Sequence, residues 1–364
     1  MSLETADRIL TSIQRLEETV QEGNQSATPK QFTLFGGEPL LADNIDLISY
    51  IIERAASSGP SQFSAVTNGT ELAAYSALLG PHGIRRLQIT LDGPPNVHDH
   101  FRMYANGTGS FEKIARNIDL ALDSGAIVNV RVNVCKENAR DLHELAREVH
   151  RRKWAGREGF SIYAAPIQPT SAFPHRERTF GSLELGQYLQ QARQQDPAVG
   201  IIQSSADSMK ERALRLFRNP DIDPLQDFQA TFCGAHSGMH VFDPFGDIYA
   251  CWERLGDPQA RIGYVDHAGQ IVLAGASLQK WRTRTVATNP VCDRCPYALH
   301  CGGGCAIHAE AANGTMFSNF CDGFAARFKT AVAEAFTVVQ HGDTLALAGM
   351  TSEQSVKNRE KLCG

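Results

Sequence analysis

The chain has no run of 18 apolar residues, which excludes a membrane-spanning helix. It has no surplus of positive charge. Lys and Arg total 35 against 40 Asp and Glu, a net −5, so the basic footprint of a nucleic-acid binder is missing. The opening segment, MSLETADRILTSIQRLEETV, lacks the apolar core of a secretory signal, and a cytoplasmic location is expected. There is no internal repeat and no low-complexity tract. Cysteine is nearly missing from residues 1–232, where Cys135 stands alone. What remains is a 364-residue chain, 42% hydrophobic and 21% charged, the composition of a folded globular protein of about two domains.

Residues 1–170 alternate between helical and strand periods. Ile9, Ile13, Leu16 and Val20 mark one face of a helix over 2–21. Strands are expected at 31–35, 61–69, 85–93, 126–134 and 159–167. Helices are expected between them at 43–57, 70–79, 110–124 and 139–152, with Ser110 as an N-cap. Such alternation predicts a parallel sheet in a partial TIM-like barrel, with its site at the strand C-termini. Residues 171–231 are rich in Gln, Arg, Asp and Pro and read as a bridging helical segment, with helices near 182–194 and 205–217. A cysteine-rich domain over 232–338 ends in a helix with Phe324, Phe328, Ala331 and Ala335 on one face. Residues 339–364 read as a polar tail.

Seven of the nine cysteines lie between 233 and 321. VFDPFGDIYAC predicts a β-hairpin presenting Cys251. CDRCPYALHCGGGC carries Cys292, Cys295, Cys301 and Cys305, and Cys321 follows. In a reducing compartment such a set points to metal or iron–sulfur ligation. Thiolates converging from tight turns suit an inorganic cluster, and Gly302 to Gly304 would clear side chains from its path. Seven thiols exceed the four of one structural zinc. They suit one four-cysteine site and one three-cysteine site. A two-site zinc module is the competing metal reading.

The order Cys-x12-Gly-x4-Cys, then Cys-x2-Cys-x5-Cys-x3-Cys, then Cys resembles the SPASM domain of radical S-adenosylmethionine enzymes. The resemblance implies an auxiliary 4Fe-4S cluster I on Cys233, Cys251 and Cys305, with its fourth position open or filled by another residue type. It implies an auxiliary 4Fe-4S cluster II on Cys292, Cys295, Cys301 and Cys321. His236, His240, His300 and His308 stand near enough in sequence to supply a ligand, and none is singled out. FTLFGGEPLL resembles the family's GGEP segment, in which Gly36, Gly37 and Glu38 would receive the amino group of S-adenosylmethionine. ITLDGPPNVHDHFR resembles its Asp-Gly segment, in which Thr90 and Arg102 would meet the ribose and carboxylate. Ile167 is a weaker candidate for the adenine. Together these motifs cover about residues 1–335.

The implied fold is α/β: a partial (β/α)6 radical SAM barrel missing its first strand, plus the SPASM domain and a closing helix. The implied chemistry is hydrogen abstraction from a peptide or protein by a 5′-deoxyadenosyl radical, with electrons from a ferredoxin or flavodoxin. Neither nucleic acid nor membrane is expected as a partner. The family's Cys-x3-Cys-x2-Cys motif does not occur in this sequence. The chain is expected to begin just past that loop, and the third, radical SAM cluster is expected only with it. The alternative is a non-catalytic iron–sulfur protein that relays electrons or binds a peptide. Sulfatase-maturing relatives place an Asp after the cysteine matching Cys251; Trp252 stands there instead. Glu253 and Asp243 are the nearby carboxylates.

Overall fold

The computed structural model describes residues 1–21, 29–168, 176–219 and 221–340. The tail 341–364 lies outside them. In chain order come α1 (Leu3–Gln21), β1 (Lys30–Leu34), α2 (Ile45–Ser57), β2 (Ser61–Thr67), β3 (Ile84–Thr90), α3 (Pro95–Phe101) and α4 (Phe111–Asp123). Then follow β4 (Ile127–Val134), α5 (Leu142–Arg151), β5 (Phe160–Pro166), α6 (Ser182–Gln195), β6 (Ile202–Gln203) and α7 (Ser205–Arg218). The cysteine-rich region holds β7 (Val241–Phe242), β8 (Asp247–Tyr249), β9 (Arg261–Val265), β10 (Ile271–Leu273), α8 (Gly275–Arg282), α9 (Ala298–Cys301) and α10 (Ala306–Asn313). Helix α11 (Phe324–Gln340) closes the described chain.

The strands form a six-stranded sheet in the order β1 to β6 and a four-stranded sheet in the order β10-β9-β8-β7. The first is parallel, the second antiparallel. The sequence marks five of the six parallel strands. Strand β6 falls in the stretch expected as a helical bridge, because two residues carry no period. Helix α3 falls in a stretch for which no element is expected from the sequence pattern.

By internal contacts the chain divides into two compact units. The first comprises Met1–Gln88, Asn117–Ala126 and Leu225–Cys321; the second comprises Ile89–Arg116, Ile127–Pro224 and Asp322–Gly364.

In the first unit β1 and β2 pair in register, Phe32 opposite Phe63. Helix α1 buries Ile9 and Leu10, whereas Leu16, expected on the same face, is 46% exposed. Ile9 joins Ile248, Ile262, Val265, Trp281 and Met316 in the core under the antiparallel sheet. Arg15 of α1 also donates to the carbonyls of Ala268 and Gly269.

In the second unit β4 alternates as its sequence demands. Val128, Val130, Val132 and Val134 are fully buried, while Asn129, Arg131 and Asn133 face the other side. Burying four valines contributes on the order of 6–12 kcal/mol before ordering entropy is counted. Helix α5 buries Leu142, Leu145 and Val149. Helix α11 packs along α7, and Arg327 donates to the Ser205 hydroxyl at 2.8 Å.

Candidate functional site

The first unit places the GGEP turn directly after β1. Gly36 and Gly37 have φ of +102° and +48°, a region that side chains avoid, and no atom lies within 4 Å of where a Cβ would stand on either. This leaves open space against the backbone. Glu38 is turned back onto the end of β2. Its Oε1 accepts from the Leu40 amide at 2.9 Å and the Thr67 hydroxyl at 2.6 Å, and its Oε2 accepts from the Asn68 amide at 2.6 Å. A carboxylate offers about four lone-pair sites, so one, on Oε2, is left over. The turn is held further by Asn117, which donates to the carbonyls of Gly69 and Thr70. The TNG segment at 67–69 is therefore the seat of Glu38.

Phe35, just before the glycines, stacks on Trp252, just after Cys251. Their rings lie 5.1 Å apart at 26°, and the two residues are 42% and 41% exposed. The other carboxylate near the hairpin, Asp243, is spent on its turn, accepting from the Phe245 and Asp247 amides.

In the second unit Asp92 is the hub of the segment after β3. Its Oδ2 accepts from Arg102 Nε at 2.5 Å and its Oδ1 from the Asn133 amide at 3.1 Å. Arg102, a residue singled out in the sequence, is thus oriented by a carboxylate ten residues upstream. Thr90 ends β3, half-buried. His98 is fully buried and locks the loop between Asp92 and Arg102. The Asp92 amide donates to its Nδ1 at 3.2 Å, so the ring is neutral and protonated on Nε2. That Nε2–H donates to the Ser110 hydroxyl at 3.0 Å, which donates to the Arg102 carbonyl. Burial pulls the imidazole down to about 4, against a weaker upward pull from Asp92. The expected N-cap role of Ser110 is not made by its own hydroxyl. Asp99 instead accepts from the Ser110 and Phe111 amides at 2.8 and 2.9 Å and caps α4 from upstream.

All seven clustered cysteines lie in the first unit. The three glycines explain how distant stretches meet. Gly302, Gly303 and Gly304 have φ of +71°, +86° and +73°. A Cβ on Gly302 would strike Thr231 and Phe232, next to Cys233. One on Gly304 would strike Phe320, next to Cys321, and one on Gly303 would stand 3.7 Å from Cys292 Sγ. For Gly302 and Gly304 the room they clear is taken by backbone, not kept for an inorganic core as expected.

The thiols sense one another in two sets. Burial raises Cys251 to about 11, with the Cys305 and Cys233 thiols adding. Burial likewise raises Cys292 to about 11, with Cys301, Cys321 and Cys295 adding. Burial raises Cys301 also, while the amides of Gly303 and Gly304 pull it down. Among the described residues, no three His, Cys, Asp or Glu side chains sit close enough to hold a single metal ion. Cys135 is buried in the second unit, far from this set in sequence and packed as core.

Arg284, which the motifs did not reveal, and His236, one of the four histidines noted beside the cysteines, complete this region. Arg284 is 2% exposed. It donates to the carbonyls of Met316, Gly303 and Ser318, the last two at 3.3 and 3.2 Å. No carboxylate pairs with it among the described residues. Burial lowers its pKa, and the thiols of Cys292, Cys305, Cys233 and Cys301 pull it back up. His236 follows Cys233 by three residues and is 4% exposed. Its Nδ1 bonds the Trp281 carbonyl at 2.9 Å, while its Nε2 is buried without a partner. His300 and His308 pack instead against Phe228 and Phe320.

The Radical SAM superfamily model matches residues 5–149. The chain is 32% identical over 125 residues to a GTP 3′,8-cyclase of Bradyrhizobium diazoefficiens, covering 33% of this chain and 35% of that protein. It is 31% identical over 120 residues to the GTP 3′,8-cyclase of Rhizobium etli, covering 33% and 34%. The chain thus spans about a third of the length of these curated relatives. The structure of anSMEcpe with bound AdoMet and a Cp18Cys peptide superposes with a TM-score of 0.65 at 16% identity, covering 94% of this chain and 92% of that one. The same protein with AdoMet alone gives 0.66 at 15%, covering 94% and 91%. The superfamily match is confined to residues 5–149, and the α/β fold of the chain is one that anSMEcpe shares.

Proposed function

We propose that this chain is an iron–sulfur protein of the radical SAM type that acts on a peptide or protein, with two auxiliary 4Fe-4S clusters in its cysteine-rich region. The observation that carries the reading is the grouping of seven thiols in two sets, four of them acting on a buried, carboxylate-free Arg284. A guanidinium out of water calls for negative charge nearby. Thiolates bound to a cluster supply it, so the residues present fit the group. A tetrahedral zinc needs its sulfurs about 4 Å apart. A 4Fe-4S cluster spreads its thiolates over separate irons, which suits sets too loose for one ion. Cys233, Cys251 and Cys305 would hold cluster I; Cys292, Cys295, Cys301 and Cys321 would hold cluster II. When bound, such clusters accept or pass single electrons, and a ferredoxin or flavodoxin is the matching donor.

Each unit, taken by itself, offers groups of the kind that S-adenosylmethionine calls for. The free lone pair of Glu38 and the open backbone at Gly36 and Gly37 suit an ammonium group. Arg102, fixed through Nε, has its outer nitrogens to offer a carboxylate, with Thr90 for a hydroxyl. The Phe35–Trp252 stack offers half-exposed rings to an apolar side chain of the peptide. A general base in the position of Trp252 is excluded, since indole has no basic nitrogen.

The test is anaerobic purification with iron, acid-labile sulfide and zinc counted per chain. About eight irons and eight sulfides are expected. Zinc without sulfide would overturn the reading. Cleavage of S-adenosylmethionine by the loaded protein then separates an enzyme from an electron relay.

A further inference from the structure

We propose that His236 is the fourth ligand of auxiliary cluster I, through Nε2. The inference rests on the cluster reading above and goes beyond it, because the three cysteines of that set leave one iron unassigned. Three observations carry it. His236 sits in the short turn Gly234–His236 that Cys233 opens, so the ring and that cysteine share one turn. The side chain is 4% exposed, and Nε2 is buried with no partner among the described residues. An unsatisfied buried nitrogen is destabilising, and a bound metal would remove that penalty. Finally, Nδ1 is fixed by the Trp281 carbonyl at 2.9 Å, and Trp281 packs on the ring at 5.4 Å. A carbonyl that takes the Nδ1 proton leaves Nε2 as a lone pair. Metal-binding histidines are oriented in this way.

The other three histidines of the region do not share this combination. His300 and His308 are only half-buried and lie against aromatic rings. His240 is half-buried, and its Nε2 is not among the orphaned buried atoms. A neutral imidazole in place of a thiolate makes the cluster less negative, which favours its reduced form, as in Rieske centres.

The experiment uses the full chain, reconstituted anaerobically and labelled with 15N only in histidine. Pulsed EPR of the reduced protein is expected to show a strongly coupled histidine nitrogen. In His236→Ala the coupling should vanish, and mild oxidation should remove one iron from cluster I, seen as a three-iron signal. His236→Cys guards against a folding defect in the alanine variant. It should keep the wild-type iron count, lose the nitrogen coupling and lower the reduction potential of one cluster. Wild-type protein with about eight irons and no histidine coupling overturns the proposal while leaving the cluster reading intact. So does a coupling that persists in His236→Cys. Wild-type protein without iron and sulfide overturns the cluster reading itself.

Discussion

Acid should loosen the Asp92–Arg102 loop through His98. The ring is fully buried, and its Nδ1 accepts from the Asp92 amide. A proton added there would face an N–H and break the chain that runs through Ser110 to the Arg102 carbonyl. The folded ring titrates at about 4 against 6.5 for a free one, because burial disfavours its charged form. The unfolded chain therefore binds a proton that the folded chain refuses. Stability is complete above about pH 6.5 and falls as pH drops toward about 4. The gap corresponds to about 3 kcal/mol. Urea unfolding of wild type and His98→Gln between pH 4 and 8 isolates it, since other titrating groups are common to both. The advantage of wild type should shrink by about 3 kcal/mol across that window. Parallel profiles for the two proteins would refute the reasoning, as would an NMR titration placing His98 above pH 6.

Three further substitutions test the remaining groups. Glu38→Gln keeps one oxygen acceptor but turns an amide toward a backbone N–H, and should cost about 1–3 kcal/mol in urea unfolding. An unchanged midpoint would show that Glu38 does not hold the turn. Gly304→Ala places a methyl on the Phe320 carbonyl at a φ of +73°. Its backbone strain alone costs about 1–2 kcal/mol, and iron uptake should fall by half or more, read by iron analysis. Trp252→Ala removes one ring of the exposed stack and should weaken peptide binding about tenfold in calorimetry, with iron content unchanged.

The legible and illegible parts of this protein differ in the range over which their physics acts. Strands β1 to β5 were readable because burial imposes a period of two on neighbours, as in Val128 to Val134. The cysteine set was readable because thiolates in tight turns keep short spacings, and Gly36 to Glu38 because a turn is a local event. Strand β6 was not, being two residues long. Nor was the cap of α4, whose acceptor Asp99 lies 11 residues before Ser110. Sequence alone determined which chemistry the chain can carry: seven clustered thiols, a GGEP turn, an Asp-Gly segment. Only the tertiary structure decided what surrounds them. It set Arg284 among thiols from several loops, seated Glu38 on a strand end 29 residues away, and left one nitrogen of His236 buried and unpaired. Each depends on burial and on partners remote in sequence, and neither is written in the spacing of neighbouring residues.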